Sequence, residues 1–510
     1  MFLKLKKINF EYLTIFVLAV FSGILISLYN FSVLFILLSV LFISISFKYF
    51  NQVLFLLILY IPFQVALNIS AGIDLASGRV LILYLFAVWV IKSLAEKKFA
   101  IRFSLQTLLI LLFLFIAVFS MLQAWDMERA FRKILVFLSI FPLYFIITSL
   151  PIFSLNKVGT RQCLVSTIAK GRGMVKNNYI YKILNALITS GFVLSLIGII
   201  QFVLQFLIGI DPIMDFWSKF VSPIFYGNTF GAEVIANPSW LVNISGATVL
   251  RAFSLFPDPH MFSFYLGLLI PVILAIVLVN RNDKCTFLNG KLLYLILFIM
   301  LLAEALTFSR GGYIGLIAGI GVTIILLWKY INFNKKIILG LATGISILFI
   351  IFSNQSIVNR FLSSFNFNEG SNTERIKNWS QGYEMFADNF LTGVGIGNYS
   401  IYLYPTAGYR TPIYAHNLYL DIGAEMGIFA LLVWLILIGI TIWQLFKTGK
   451  RTEDIFIRAL SFGLIGSLIW FSAHSFFDTA IYSPTILTIF VVIISLSMMV
   501  INNNSDRTNI

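Results

Sequence analysis

Apolar residues run along this chain in long unbroken stretches, and charged residues are largely confined to the gaps between them. The stretches cover residues 12–28, 31–47, 53–67, 80–94, 105–124, 134–152, 183–207, 261–279, 292–308, 313–328, 337–352, 428–446, 459–476 and 481–501. Most approach the roughly 20 residues a helix needs to cross hydrocarbon about 30 Å thick. They are continuous rather than alternating, which excludes a transmembrane β-barrel. The pattern predicts an all-α, polytopic membrane protein of about 14 spans. The breaks at Asn30 and Gly72 are the weakest, and merging across them gives 12 or 13. The first stretch follows Lys4, Lys6 and Lys7 as in a signal peptide. It is longer than a signal core and has no small-x-small site, so it is read as a retained helix.

Composition agrees. Of 510 residues, 59% are hydrophobic and 11% charged, with mean hydropathy +0.95. A soluble domain carries near a quarter charged residues, so a water-soluble enzyme is excluded. The net charge of +15 changes meaning once located. With the N-terminus inside and the spans alternating, inside gaps and adjoining span ends hold 25 of the 36 basic residues and 6 of the 21 acids. The segment 153–182 has six basic residues and no acid. This is the positive-inside pattern of a cytoplasmic-membrane protein, with contact to anionic lipids, not a nucleic-acid footprint.

Little sequence outside the spans is long enough to fold, and both long gaps fall outside, at 208–260 and 353–427. The second predicts a helix near 373–390, capped by Thr373, with Ile376, Trp379, Tyr383 and Phe386 on one face. Cys163 and Cys285 both fall inside, so no disulfide frames the outer loops. Three histidines make a zinc site improbable on counting grounds, and no metal motif is present. Gly393-Val394-Gly395-Ile396-Gly397 lacks the spacing and preceding strand of a dinucleotide loop and reads as a tight turn.

Outside, 8 of 11 basic residues are arginine; inside, 7 of 25 are. A guanidinium fork suits phosphate or carboxylate. Arg129 and Arg132 have neighbouring acids, Asp126 and Glu128, and read as their ion-pair partners. Arg310 ends an outer span boundary and precedes Gly311-Gly312, a costly place for a charge unless it faces a ligand; the two glycines are expected to leave its surroundings open. His260, His416 and His474 all fall at outer span ends. His260 and His474 read as structural. His416 closes the largest outer loop with Asp421 and Glu425 nearby, and reads as a general base.

Four blocks, in order, resemble the O-antigen ligase and polymerase family. They are Arg251-Ala252-Phe253 with Phe256-Pro257-Asp258-Pro259, then Ser309-Arg310-Gly311-Gly312-Tyr313, then Gly393 to Asn398, then Ala415-His416-Asn417-Leu418-Tyr419-Leu420 followed by Glu425-Met426-Gly427. Arg375 before Trp379 matches as well. In the first block His260 stands where the family commonly has Asn. The resemblance divides the chain into N-terminal helices at 1–250, a ligase-like region at 251–427 and C-terminal helices at 428–510.

The resemblance implies a GT-C-like membrane glycosyltransferase with a large helical extracytoplasmic loop. It would take a glycan from undecaprenyl diphosphate on the outer face and pass it to lipid A-core, to another glycan or to a protein hydroxyl. No cofactor, nucleotide sugar or metal is implied. Arg310 and Arg251, with Arg375, would hold the diphosphate. His416 would deprotonate the acceptor, with Asp421 or Glu425 orienting its ring, Asn417 and His474 in support, and a single displacement inverting the anomeric carbon. Asp258 is the one candidate nucleophile for a retaining scheme. The rival class is a polysaccharide or lipid-linked-glycan transporter, expected to carry repeats and polar sites at mid-membrane.

Overall fold

The structure, a computed structural model, describes residues 32–70, 73–96, 103–154, 168–236, 239–244, 246–279, 290–332, 334, 370–408 and 413–508. In chain order the helices are α1 (Ser32–Tyr60), α2 (Ser77–Ala95), α3 (Leu105–Ser120), α4 (Met127–Ile140), α5 (Pro142–Ser154), α6 (Ile168–Ile208), α7 (Ile210–Phe216), α8 (Ser222–Phe225) and α9 (Asn228–Ala236). After these come α10 (Pro259–Val279), α11 (Gly290–Leu306), α12 (Arg310–Leu327), α13 (Gly370–Asp388), α14 (Tyr399–Leu403), α15 (Leu418–Arg451), α16 (Ile455–His474) and α17 (Pro484–Thr508). Two antiparallel hairpins interrupt them, β1 (Ala66–Ser70) with β2 (Ile73–Ala76), and β3 (Leu241–Ile244) with β4 (Ala247–Leu250).

The chain is a multi-pass helical membrane protein. Among the described residues, 10 helical segments are long and apolar enough to cross a membrane. The expected count of 14 differs for identifiable reasons. The stretches 12–28 and 337–352 lie outside the described residues, as do Cys163, Cys285 and residues 155–167 of the basic segment 153–182. The stretches 31–47 and 53–67 fall largely in α1, which leaves helical geometry at Tyr49. The stretch 292–308 forms α11, of 17 residues. The hairpins correct the purely helical expectation. The strands of the first flank the Gly72 break, where the apolar pattern predicts helix ends.

The bundle is built around α10, whose whole span is buried. It packs most heavily on α16, which packs equally closely on α12. Glycine makes the approach possible. A Cβ on Gly267 would run into Trp470 Nε1, and one on Gly319 would lie 2.7 Å from the Gly466 carbonyl oxygen. Small residues at such crossings let backbones meet, which is how helices associate where lipid offers no hydrophobic drive.

Both long gaps between spans hold folded elements among the described residues. Residues 208–250 form α7 to α9 and the second hairpin around Ile213, Trp217, Val221, Trp240, Leu250 and Phe253. The expected helix near 373–390 is α13, but its buried face is rotated from the predicted one. Ile376 and Tyr383 are exposed, while Gly382 and Met385 are buried. Gly382 sits where a Cβ would touch Ala415 at 3.0 Å, so helix contact with the loop before His416 decides the face. The glycine turn is indeed tight: Gly393, Gly395 and Gly397 all have positive φ. It docks on the backbones of Glu425, Ala124 and Arg129, and Asn398 exchanges hydrogen bonds with the Asp126 backbone at 2.7 and 3.3 Å. The α15 helix breaks at Gly427 (φ 76°, ψ −179°), where a Cβ would run into the Leu391 carbonyl. Its first two turns therefore belong to the loop and its remainder to the span. It ends in Lys450 and Arg451, so the histidine end and a basic end lie at opposite poles of one helix.

Candidate active site

Several helix ends meet at one pole: the starts of α10, α12 and α15 and the end of α16. Each of the three starts is fixed by a local cap. Asp258 receives the Met261 N–H at 2.9 Å and starts α10. Ser309 receives the Gly312 N–H at 3.2 Å and starts α12. Asn417 receives the N–H groups of Tyr419 and Leu420 at 3.0 and 3.2 Å and starts α15. These are N-cap geometries, in which a side-chain oxygen satisfies otherwise orphaned donors. Three non-glycine residues in the described chain have positive φ, Ser254, Phe308 and His416. All lie in loops that reach this pole, and such backbone costs about 1–3 kcal/mol each.

The caps bring all three histidines together. His416 Nδ1 stands 3.4 Å from Asp478 Oδ1. His260 Nδ1 lies 3.8 Å from Asp478 Oδ2 and 3.0 Å from Ser309 Oγ. His474 Nε2 lies 3.3 Å from the same Ser309 Oγ. His474 is fully buried and stacks on Phe264 with ring centroids 3.8 Å apart. A Cβ on Gly311 would lie 2.5 Å from its Cδ2. Gly312 likewise faces Ser263 and Glu304. The two glycines therefore close the packing beneath Arg310 instead of opening its surroundings.

The residue pairing His416 is Asp478, not Asp421 or Glu425. Asp421 Oδ1 accepts the Ala415 N–H at 2.9 Å, and its Oδ2 accepts the Thr479 hydroxyl. It thus ties the loop before His416 to the loop that carries Asp478. Glu425 accepts from Lys133 Nζ at 3.1 Å and from the Tyr482 hydroxyl at 2.5 Å, with Lys133 3.5 Å above the Tyr482 ring. Both acids brace the site from within α15. Asp478 carries no motif in the sequence; its place four residues after His474 is the one signal there.

The arginines divide. Arg251 is buried and donates to the carbonyls of Thr307, Ser239 and Phe308 at 2.7, 3.0 and 3.3 Å. It shapes the turn that delivers Ser309 and Arg310. Arg310 is the first residue of α12, where a cation opposes the helix dipole while an anion is favoured. Arg375, on α13, lies near enough for the charges of Arg310 and Asp478 to act on it. Arg129 pairs with Asp126 at 2.9 Å and Arg132 pairs with Glu128, as expected.

Electrostatics separates the roles. Burial works against a charged His416, but the hydrogen bond and charge of Asp478, with Asp421 behind it, raise it above the ordinary imidazole value. Burial pushes Asp478 up, yet the bond from His416 and the charges of the surrounding imidazoles and Arg375 hold it well below the carboxylate range. Burial, then the charge of Asp478, raises Asp258 to about 6. Burial lowers Arg375, but a guanidinium stays charged. Among the described residues no group of three or more His, Cys, Asp or Glu is placed to hold a metal ion.

Residues 295–435, from α11 into α15, match the family model for O-antigen ligase. The chain is also 28% identical over 228 residues to the teichuronic acid biosynthesis protein TuaE of Bacillus subtilis (strain 168), covering 39% of this chain and 46% of that protein. The chain thus spans about half the length of the curated relative it matches. Ser309, Arg310, Arg375 and His416 all lie inside the segment that is similar to the O-antigen ligase family.

Proposed function

We propose that this protein is a membrane glycosyltransferase that moves a glycan from an undecaprenyl-diphosphate-linked donor to an acceptor hydroxyl, on the extracytoplasmic face of the cytoplasmic membrane. The observation that carries the reading is the convergence of His416, Asp478, Arg310 and Arg375 at one pole of an apolar bundle. The donor's diphosphate would sit between Arg310 and Arg375 at headgroup level. Asp478 holds the proton on His416 Nδ1, so Nε2 is left as the base. The acceptor oxygen gives its proton to Nε2 and bonds to the anomeric carbon as the carbon–oxygen bond to phosphate breaks. The electron pair leaves on phosphate, where the arginines stabilise it. One displacement inverts the carbon. Asp258 is committed to the α10 cap, which speaks against a nucleophilic role. The name of the relative weighs toward a second glycan, rather than lipid A-core, as acceptor. A transporter would need its polar groups near mid-span; this cluster lies where helices begin and end.

Transfer from purified lipid-linked donor in liposomes tests the assignment. His416→Ala should lower the rate by about 10²–10⁴-fold, the usual share of general-base help, while donor binding persists. Transfer near the wild-type rate would rule His416 out as the base.

A further inference from the structure

The second histidine of the cluster has a task that its hydrogen bonds reveal. Among the described residues His474 Nδ1 is buried without a partner, and its Nε2 lies 3.3 Å from Ser309 Oγ. A buried N–H without an acceptor is rarer and costlier than a buried lone pair. The His474 proton therefore belongs on Nε2, which donates to Ser309. Ser309 Oγ already receives the Gly312 N–H, so with His474 it accepts twice. A hydroxyl has one proton to give, and the remaining neighbour is His260 Nδ1 at 3.0 Å. Asp478 Oδ2, at 3.8 Å from that nitrogen, is too far to bond an N–H there. His260 Nδ1 is thus an acceptor, and its proton sits on Nε2.

The two imidazoles beside Asp478 then carry opposite tautomers. His416, facing the carboxylate through Nδ1, presents a bare Nε2; His260 presents an Nε2–H. The guanidinium charges of Arg251 and Arg375 reach His260, and Arg310 follows Ser309 directly. A fixed neutral donor among cations fits an anionic oxygen. We infer that the His474–Ser309 relay sets His260 as an Nε2–H donor to a phosphate oxygen of the leaving group, opposite the base. This rests on the proposed reading of the donor as a lipid-linked diphosphate. His474 and Ser309 act as positioning residues, since they touch no substrate.

Two measurements test it on the full chain. With three histidines in the protein, ¹⁵N-histidine spectra in detergent, assigned by single substitutions, read each tautomer. His260 and His474 should be protonated at Nε2 and His416 at Nδ1; an Nδ1–H on wild-type His260 overturns the inference. The second is product inhibition by undecaprenyl diphosphate. His260→Ala should weaken it about 10-fold to 100-fold, as expected for one hydrogen bond to a charged group. His260→Gln, whose amide nitrogen reaches the place of Nε2, should keep most of it. His260→Asn, whose amide reaches only the place of Nδ1, should not. Unchanged inhibition in His260→Ala, beside weakened inhibition in Arg310→Lys, overturns this inference alone. Unchanged inhibition in both variants overturns the diphosphate reading as well.

Discussion

Replacing Asp478 with Asn keeps the size of the side chain and removes its charge. In the proposed transfer, the imidazolium formed on His416 would lie 3.4 Å from that carboxylate. A charge pair at this distance is worth about 1.2 kcal/mol at the dielectric of water and about 5 kcal/mol at an effective value near 20. The His416 side chain is 38% exposed, so screening favours the lower half of that range, roughly 1–3 kcal/mol. That corresponds to a fall in kcat of about 5-fold to 150-fold. The pH profile moves as well. Asp478 raises His416, and a base must be neutral, so the wild-type acid limb should lie above 6.5, the ordinary imidazole value. Without the carboxylate, burial and Arg375 push the other way, and the limb should move to lower pH as the maximal rate falls. Glycan transfer measured from about pH 5 to about pH 9 reads both quantities. A variant that is slower with its acid limb unmoved would show that Asp478 only supports the fold, and would refute the dyad.

Three further outcomes follow from the same geometry. Arg310→Lys keeps the charge and loses the planar fork, so transfer should fall by most of its rate if the phosphate is held by two parallel bonds; full activity would mean a point charge suffices. Gly311→Ala places a methyl 2.5 Å from the His474 ring, and overpacking of this kind costs about 1–3 kcal/mol. A lower melting temperature in detergent should accompany loss of transfer, and an unchanged melting temperature would contradict the packing. For sidedness, a cysteine replacing Asn372 should react with an impermeant thiol reagent in intact cells while Cys163 does not; the reverse pattern would invert the topology.

Much of this architecture is legible because a bilayer imposes one rule on every span. Apolar length and basic gaps therefore mark the helices without reference to their neighbours. Within that frame, α13 was visible as a helix but its buried face was not. The contact with Ala415 selects Gly382 and Met385, and no hydrophobic stripe announces a glycine. The same holds for Gly311 and Gly312, which look like open space in a sequence and are close contacts in the bundle.

The site divides along the same line. Arg310 and His416 were legible because each is a costly or unusual residue at a span end, and cost can be judged locally. The partner of His416 could not be judged locally. Asp421 and Glu425 are nearer in sequence, but the helix that begins at Leu418 carries both away from the ring and into contacts with Thr479 and Lys133. Asp478 reaches the ring because α16 ends at His474 and the chain then turns back over the pole. Leu418 donates its N–H to the Ser475 carbonyl at 2.9 Å, which pins the two loops together. The same turn sets His474 against Ser309, and through it His260. With the Asp421 contacts to Ala415 and Thr479, that backbone hydrogen bond holds together loops carrying histidines that lie at least 58 residues apart in the sequence.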